Sequence, residues 1–252
     1  MFHLWRKRQS LALFSTRLVW GNGSEPVTLE LAKPGQDALI AAFAEALLDM
    51  KHGSRRKICL SLAVSDSFAA IVALPWQNAL SRATEIEAYA HAQFERAGQS
   101  LDEGWVMFAY FRRFGASGLA YAFPRDFLQR LDEAAMTHDV VIDSILPLSA
   151  IAYARQRRSP RGMTAFVIHE SSRITALVAG TSGLITYATE PVAGKNKRSP
   201  ERLLRRLQAE YDLQKIEDCW PELRAETDLS SLVSRILPSA QYMVADSNFW
   251  RK

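Results

Sequence analysis

The residue types that could do chemistry are present in this chain, but they do not converge along it. The five histidines are His3, His52, His91, His138 and His169. None stands four residues from another histidine or beside a cysteine at zinc-ligand spacing. The two cysteines, Cys59 and Cys219, are too few for a disulfide framework, and Cys59 falls in an apolar run, as a small buried side chain would. No G-x-S-x-G elbow and no G-x-x-x-x-G-K-[ST] loop occurs. His138-Asp139 reads as a helix end rather than an acid–base pair. His91 lies on a helix with a mainly apolar inner face and reads as partly exposed or locally satisfied. Asp66 stands between Ser65 and Ser67. Short polar side chains there bond their own backbone, which favours a turn over a catalytic acid.

The stretch around Asp66 is the most ordered in pattern. Ile58 to Val64 is apolar and branched, a buried strand. Ser65-Asp66-Ser67 is the turn, and Phe68 to Leu74 reads as a returning strand ended by Pro75, which brings no N–H to a ladder. Ser81 reads as the cap of a helix with Glu85 and Glu87 in its first turns, carrying Ile86, Tyr89, Ala90, Gln93 and Phe94 at helical spacing.

Upstream, Leu11 to Ser15, Arg17 to Trp20 and Val27 to Leu31 read as three strands, the last two separated by the Gly21-Asn22-Gly23-Ser24 turn. A helix over Asp37 to Met50 follows, with Leu39, Ile40, Phe43, Leu47 and Leu48 in one stripe. Downstream, Trp105 to Phe111 and Leu119 to Phe123 form a hairpin across Arg112 to Gly118. A helix runs from Pro124 to about Met136, then come a strand over Asp139 to Leu146 and a short helix from Pro147 to Ala154. The basic, proline-bearing stretch 155–162 is the expected linker. After it, Thr164 to Glu170, Arg173 to Gly180 and Leu184 to Thr189 are three strands. A basic loop over Gly194 to Arg198 precedes a helix capped by Ser199 with Pro200 and Glu201 next. A short helix over Leu229 to Ile236 and an extended aromatic end from Tyr242 to Trp250 complete the chain. Three antiparallel strands and a helix thus occur twice, near residue 11 and near residue 164.

The chain has 252 residues, is 48% hydrophobic and 23% charged, and carries a net charge of +4, with a pI near 9.1. This is ordinary globular composition. No apolar run reaches the roughly 18–20 residues that span a bilayer. The opening MFHLWRKRQSLALF lacks the apolar core and cleavage site of a signal peptide. The cysteine usage fits a reducing cytoplasm. Basic residues cluster at Arg6 to Arg8, Arg55 to Lys57, Arg155 to Arg161 and Lys195 to Arg206. These are either solvated faces or contacts to an anionic partner, nucleic acid or lipid, although no nucleic-acid motif is present.

On these residues the chain resembles the actin-like ATPase fold, a duplicated, ribonuclease H-like α/β (mixed-sheet) architecture with two lobes. Val64 to Glu95 is similar to the PilM and GspL group within it, through Ser65-Asp66, Leu74-Pro75-Trp76 and the early Glu85. The resemblance implies a first lobe over 1–154 with an inserted subdomain and a second, reduced lobe over 163–252. It also implies a non-catalytic cytoplasmic scaffold, peripheral to the inner membrane, in a type IV pilus or type II secretion assembly. Its implied partners are a PilN-like or GspM-like inner-membrane protein, bound through a short peptide in a groove, and a motor ATPase. A homo-oligomer is compatible with it, and neither a cofactor nor specific nucleic acid is expected.

An enzyme of this fold needs two phosphate-binding strand turns with an acid and a glycine. The first turn here is Leu13-Phe14-Ser15-Thr16-Arg17, with neither. The second is Ile168-His169-Glu170-Ser171-Ser172-Arg173, with Glu170 as its one acid. Side chains at these positions would block close approach to phosphate, so Ser15, Thr16, Glu170, Ser171 and Ser172 mark degenerate nucleotide turns. An active ATPase or kinase of the same fold is the alternative, and a basic nucleic-acid-binding module a further one. Phe68, Trp76, Trp105, Phe108 and Tyr110 are the candidates for a partner surface. Both faces of the strand from Trp105 to Phe111 are apolar, so it is covered twice or exposes a binding face.

Overall fold

The computed structural model describes residues 6–22, 25–52, 56–80, 82–155, 160–192, 198–219, 229–237 and 239–244. Outside them lie Gly23-Ser24 of the expected turn, Ser81 of the expected cap, half of the 155–162 linker and nearly all of the Gly194 to Arg198 loop. Most of the aromatic tail also lies outside. The chain divides into two compact units, one from residues 6–69 and 123–148, the other from residues 70–122 and 149–244.

The first unit is built on one mixed sheet. Strands β1 (Arg6–Leu13), β2 (Arg17–Asn22) and β3 (Glu25–Glu30) form an antiparallel meander. Helix α1 (Gln36–Lys51) then carries the chain to β4 (Lys57–Val64), which lies parallel to β1 from Arg6↔Lys57 to Leu13↔Val64. Strand β8 (Val140–Pro147) completes the order β3-β2-β1-β4-β8. Parallel strands need a crossover, which α1 supplies between β1's meander and β4. A central parallel strand covered on both faces should be apolar throughout, and β4 is buried at six of its eight positions. α1 buries Leu39, Ala42, Phe43, Ala46, Leu47 and Met50. Leu48, expected on that stripe, is 48% exposed; Ala42, Ala46 and Met50 complete the inner face with the expected Leu39, Phe43 and Leu47. The crossover α3 (Arg125–Thr137) buries Phe127, Leu131 and Ala135 and meets α1 through an Arg130–Asp37 ion pair at 2.8 Å. His138 is the C-cap of α3, and Asp139 next to it takes a left-handed φ of 52°.

The second unit holds two sheets. Strands β9 (Thr164–His169), β10 (Arg173–Gly180) and β11 (Gly183–Pro191) form a second meander, followed by α5 (Arg198–Tyr211). Two short strands then continue it, β12 (Lys215–Asp218) parallel to β9 and β13 (Gln241–Val244) parallel to β12, with α6 (Leu229–Ile236) between them. The order β11-β10-β9-β12-β13 repeats that of the first sheet position for position. β12 was not apparent from sequence. At four residues, with a buried Asp218 and alternating burial, it lacks the apolar run that marks β4. α5 begins at Arg198, so Ser199 lies inside its first turn rather than capping it. Its inner face, Leu203, Leu204 and Leu207, packs with Leu232 and Val233 of α6.

The smaller sheet has the order β5-β7-β6, from β5 (Ala70–Leu74), β6 (Trp105–Tyr110) and β7 (Gly118–Pro124). Here the sequence reading needs correcting. β5 does not return along β4; it pairs antiparallel with β7, from Ala70↔Ala122 to Leu74↔Gly118. The chain changes sheets at a one-turn 3₁₀ helix over Asp66–Phe68, so Phe68 is not in a strand. Helix α2 (Ala83–Arg96) covers one face, with Ala90 and Phe94 against Val72, Leu74, Ala120 and Ala122. Glu85 caps it by accepting from the Arg82 N–H at 3.0 Å, half of a capping box.

Within this unit the small sheet is fastened to the β10–β11 hairpin. The Ser117 N–H donates to the Ser182 carbonyl at 2.9 Å and the Arg113 guanidinium to the Thr181 carbonyl at 2.8 Å, while Tyr153, on helix α4 (Leu148–Arg155), donates its hydroxyl to the Ser117 carbonyl at 2.7 Å. Gly183 allows the approach: its φ is +102°, and an added Cβ would sit 2.7 Å from the Ser117 oxygen, a position closed to other residues.

Candidate functional site

The two strand turns match bond for bond. In the first unit the Phe14 N–H donates to the Arg17 carbonyl at 2.8 Å, and the Leu31 N–H to the Thr16 carbonyl at 2.8 Å. In the second, the Glu170 N–H donates to the Arg173 carbonyl at 2.9 Å, and the Val192 N–H to the Ser172 carbonyl at 2.8 Å. Phe14 therefore corresponds to Glu170, Ser15 to Ser171, Thr16 to Ser172 and Arg17 to Arg173. Each turn is closed by its own amide and pinned by the residue that leaves the third strand.

This geometry bears on phosphate chemistry. A phosphate loop aims several backbone N–H groups at its ligand, and glycines let the anion come close. Here every turn position carries a side chain, and the first amide of each turn is used to close it. Ser15 is buried and Thr16 half-buried, while Ser171 and Ser172 are exposed. Phe14 is buried, with the Arg17 guanidinium 5.7 Å from its ring centre. Glu170, in the equivalent place, is 2% exposed beside a fully buried His169. The described residues contain no group of three or more His, Cys, Asp or Glu side chains placed to hold a metal. Asp66 is fully buried, and its neighbours form the expected local turn: the Ser65 hydroxyl accepts from the Ser67 N–H at 3.1 Å.

The aromatic candidates divide between the units and between faces. Phe68, in the first unit, stacks on Phe127 with ring centres 5.4 Å apart. In the second unit, Trp76 lies edge-on to Phe111 at 5.5 Å and to Phe114 at 4.9 Å, and Trp105 packs with Met107 on the α2 side. Phe108 and Tyr110 are on the other face of β6. Phe108 stacks on Tyr121 at 5.3 Å yet remains 44% exposed, and Tyr110 stands edge-on to Tyr153 at 6.5 Å and is 40% exposed. Sequence reading missed Phe114, which is 89% exposed in the β6–β7 loop. An aromatic between Arg113 and Gly115 in a hairpin loop was the available signal.

The repeated β3-β2-β1-β4-β8 order, with a crossover helix after each meander, settles the architecture. The chain has the actin-like ATPase fold. No protein-family model and no curated protein matches the sequence, whereas solved structures match along nearly its whole length. The PilM protein of a PilM–PilN type IV pilus biogenesis complex superposes with a TM-score of 0.64 at 14% identity, covering 97% of this chain and 92% of that one. The cytoplasmic domain of EpsL, an inner-membrane component of the Vibrio cholerae type II secretion system, gives 0.55 at 10% identity, with 95% and 90% covered. A Bacteroides thetaiotaomicron protein of actin-like ATPase fold and unknown function gives 0.53 at 11% identity, with 94% and 90% covered. The chain is thus PilM-like and GspL-like in structure. Among the described residues no helix is long and apolar enough to cross a membrane.

Proposed function

We propose that this protein is a non-catalytic, actin-like-fold adaptor of a type IV pilus or type II secretion assembly platform. It works at the cytoplasmic face of the inner membrane, where it binds a PilN-like or GspM-like membrane protein and a motor ATPase. The observation that carries this reading is the pair of self-closed, glycine-free strand turns in a chain otherwise similar throughout to PilM. Turns of that build leave Ser15, Thr16, Glu170, Ser171 and Ser172 as remnants of a nucleotide site, and put the function on protein surfaces. Phe68, Trp76, Trp105, Phe108 and Tyr110 are the residues we assign to those surfaces. The same reading takes 1–154, with its inserted subdomain, and 163–252 as the two copies of the duplication joined at 155–162, a division distinct from the compact units, in which 70–122 groups with the second meander.

The test is co-purification with the inner-membrane proteins encoded beside it. Recovery of a pilus or secretion component supports the proposal; recovery of none, under conditions that preserve membrane complexes, sinks it. Thermal melting with Mg·ATP separates the active-enzyme alternative. An unchanged midpoint is expected, whereas a nucleotide-dependent rise together with turnover lost in Glu170→Ala would establish an ATPase.

A further inference from the structure

Strand β6 is an edge: among the described residues it pairs with β7 and with no other strand. Such an edge is usually short, charged or covered, because its free N–H and C=O groups template pairing with another chain. β6 is none of the three at its centre. Its sequence is WVMFAY, with Phe108, Ala109 and Tyr110 exposed and no charge within it. Charges stand only at its two ends, Asp102 and Glu103 before it and Arg112 and Arg113 after it.

That polarity selects the occupant. When an edge strand pairs antiparallel with its own copy about a two-fold axis normal to the sheet, one residue faces itself, and residues equally far before and after it face each other. Centring the axis on Phe108 lays this exposed ring on its symmetry mate. Val106 then faces Tyr110 on the same side of the sheet, Trp105 faces Phe111 on the α2 side, and Glu103 meets Arg113 at both ends. A parallel pairing would set acid against acid and base against base. Arg113 is already held at this end of β6 by its bond to the Thr181 carbonyl. Glu103 is exposed at the other.

We propose that two copies of this chain associate by antiparallel β6–β6 pairing centred on Phe108, joining two three-stranded sheets into one of six. The inference rests on the strand alone and is independent of the adaptor reading. A pairing of two six-residue strands is small beside a permanent dimer interface, so the association is expected to be reversible and concentration-dependent.

Sedimentation equilibrium of the full chain, from low micromolar to several hundred micromolar, reads the monomer–dimer balance. Phe108→Lys places two ammonium groups face to face and raises the dissociation constant roughly tenfold or more. Glu103→Arg weakens the dimer as well, and the Glu103→Arg/Arg113→Glu double variant restores it, which a merely structural role for either residue would not produce. Phe108→Cys forms an intermolecular disulfide under mild oxidation, since directly opposed strand residues lie within bridging range, while Phe114→Cys does not. The proposal is overturned by a chain that stays monomeric throughout, including one that takes a foreign extended peptide on β6. It is equally overturned by a dimer indifferent to Phe108→Lys, or by equal cross-linking at positions 108 and 114.

Discussion

Removing one oxygen at Tyr153 tests the fastening of the small sheet to the β10–β11 hairpin. Tyr153 is 2% exposed. Its hydroxyl donates to the Ser117 carbonyl at 2.7 Å, and the Leu184 amide donates toward the same oxygen. Tyr153→Phe keeps the ring and its packing but deletes one donor and one acceptor. A net hydrogen bond contributes about 1 kcal/mol, and a buried group left unsatisfied costs about 1–3 kcal/mol. Ser117 is half-buried, so water recovers part of that, and the expected loss is about 1–2 kcal/mol. For a chain of this size that lowers the melting midpoint by roughly 2–8 °C. Burial, the largest cause, pushes the Tyr153 phenol above its ordinary value of 10.0, with the Leu184 amide, Arg112 and Arg113 opposing it. Below about pH 10 both folded and unfolded chains keep the proton, and the contribution is fully present. As pH rises further the unfolded chain releases its proton first, so the contribution is lost. The assay is urea unfolding of both proteins from neutral pH to about 11. The variant should be weaker at neutral pH and fall less steeply on the alkaline side. A loss under about 0.5 kcal/mol with an unchanged alkaline limb would refute the idea that this hydroxyl joins the two elements.

Gly183→Ala should destabilise the protein by about 1–3 kcal/mol in chemical denaturation, because the residue needs a φ of +102° and its Cβ would press on the Ser117 oxygen. Asp139→Asn should flatten the acid limb of stability. The hydrogen bond from Lys51, followed by the charges of Lys51 and Lys57, holds the carboxyl below its ordinary value of 3.8. Its contribution is therefore present above that value and lost as pH falls through the lowered one, which thermal melts between about pH 2 and 6 would show. Cys59 and Cys219 are both buried, and burial followed by the charges of Glu217 and Asp218 pushes the Cys219 thiol strongly up. Neither thiol should react with a thiol reagent before unfolding, and rapid labelling of Cys219 in the native protein would contradict this placement.

Much of the fold was legible because its signals are local. The turn residues after Leu13 and His169, the apolar run of β4 and the Arg198–Tyr211 stripe each declare themselves within a dozen residues. What stayed hidden depends on distant partners. β4 and β5 look like a hairpin across Ser65-Asp66-Ser67, because pattern reports strands but not which strands pair. The 3₁₀ turn at Asp66–Phe68 sends them to different sheets. β12 holds register only because β9 and β13 lie on either side of it, and its sequence KIED has no strand signature of its own. For the candidate site, the lack of glycine in both turns was visible from composition. The division of the aromatics between two faces of β6 was visible from alternation, but the openness of its edge was not, since that depends on where the neighbouring strands end.

The interleaving of the two units sets an order of events during synthesis. When residue 69 has been made, β1 to β4 are complete, but one side of β4 waits for β8, which ends at Pro147. The next segment, 70–122, belongs to the other unit and must remain without its β10–β11 partner until about residue 191 emerges. Each unit thus waits while residues of the other are made, and a chain stopped between residues 125 and 139 would hold a first sheet without β8 and a small sheet with its three strands but no β10–β11 hairpin to pack on.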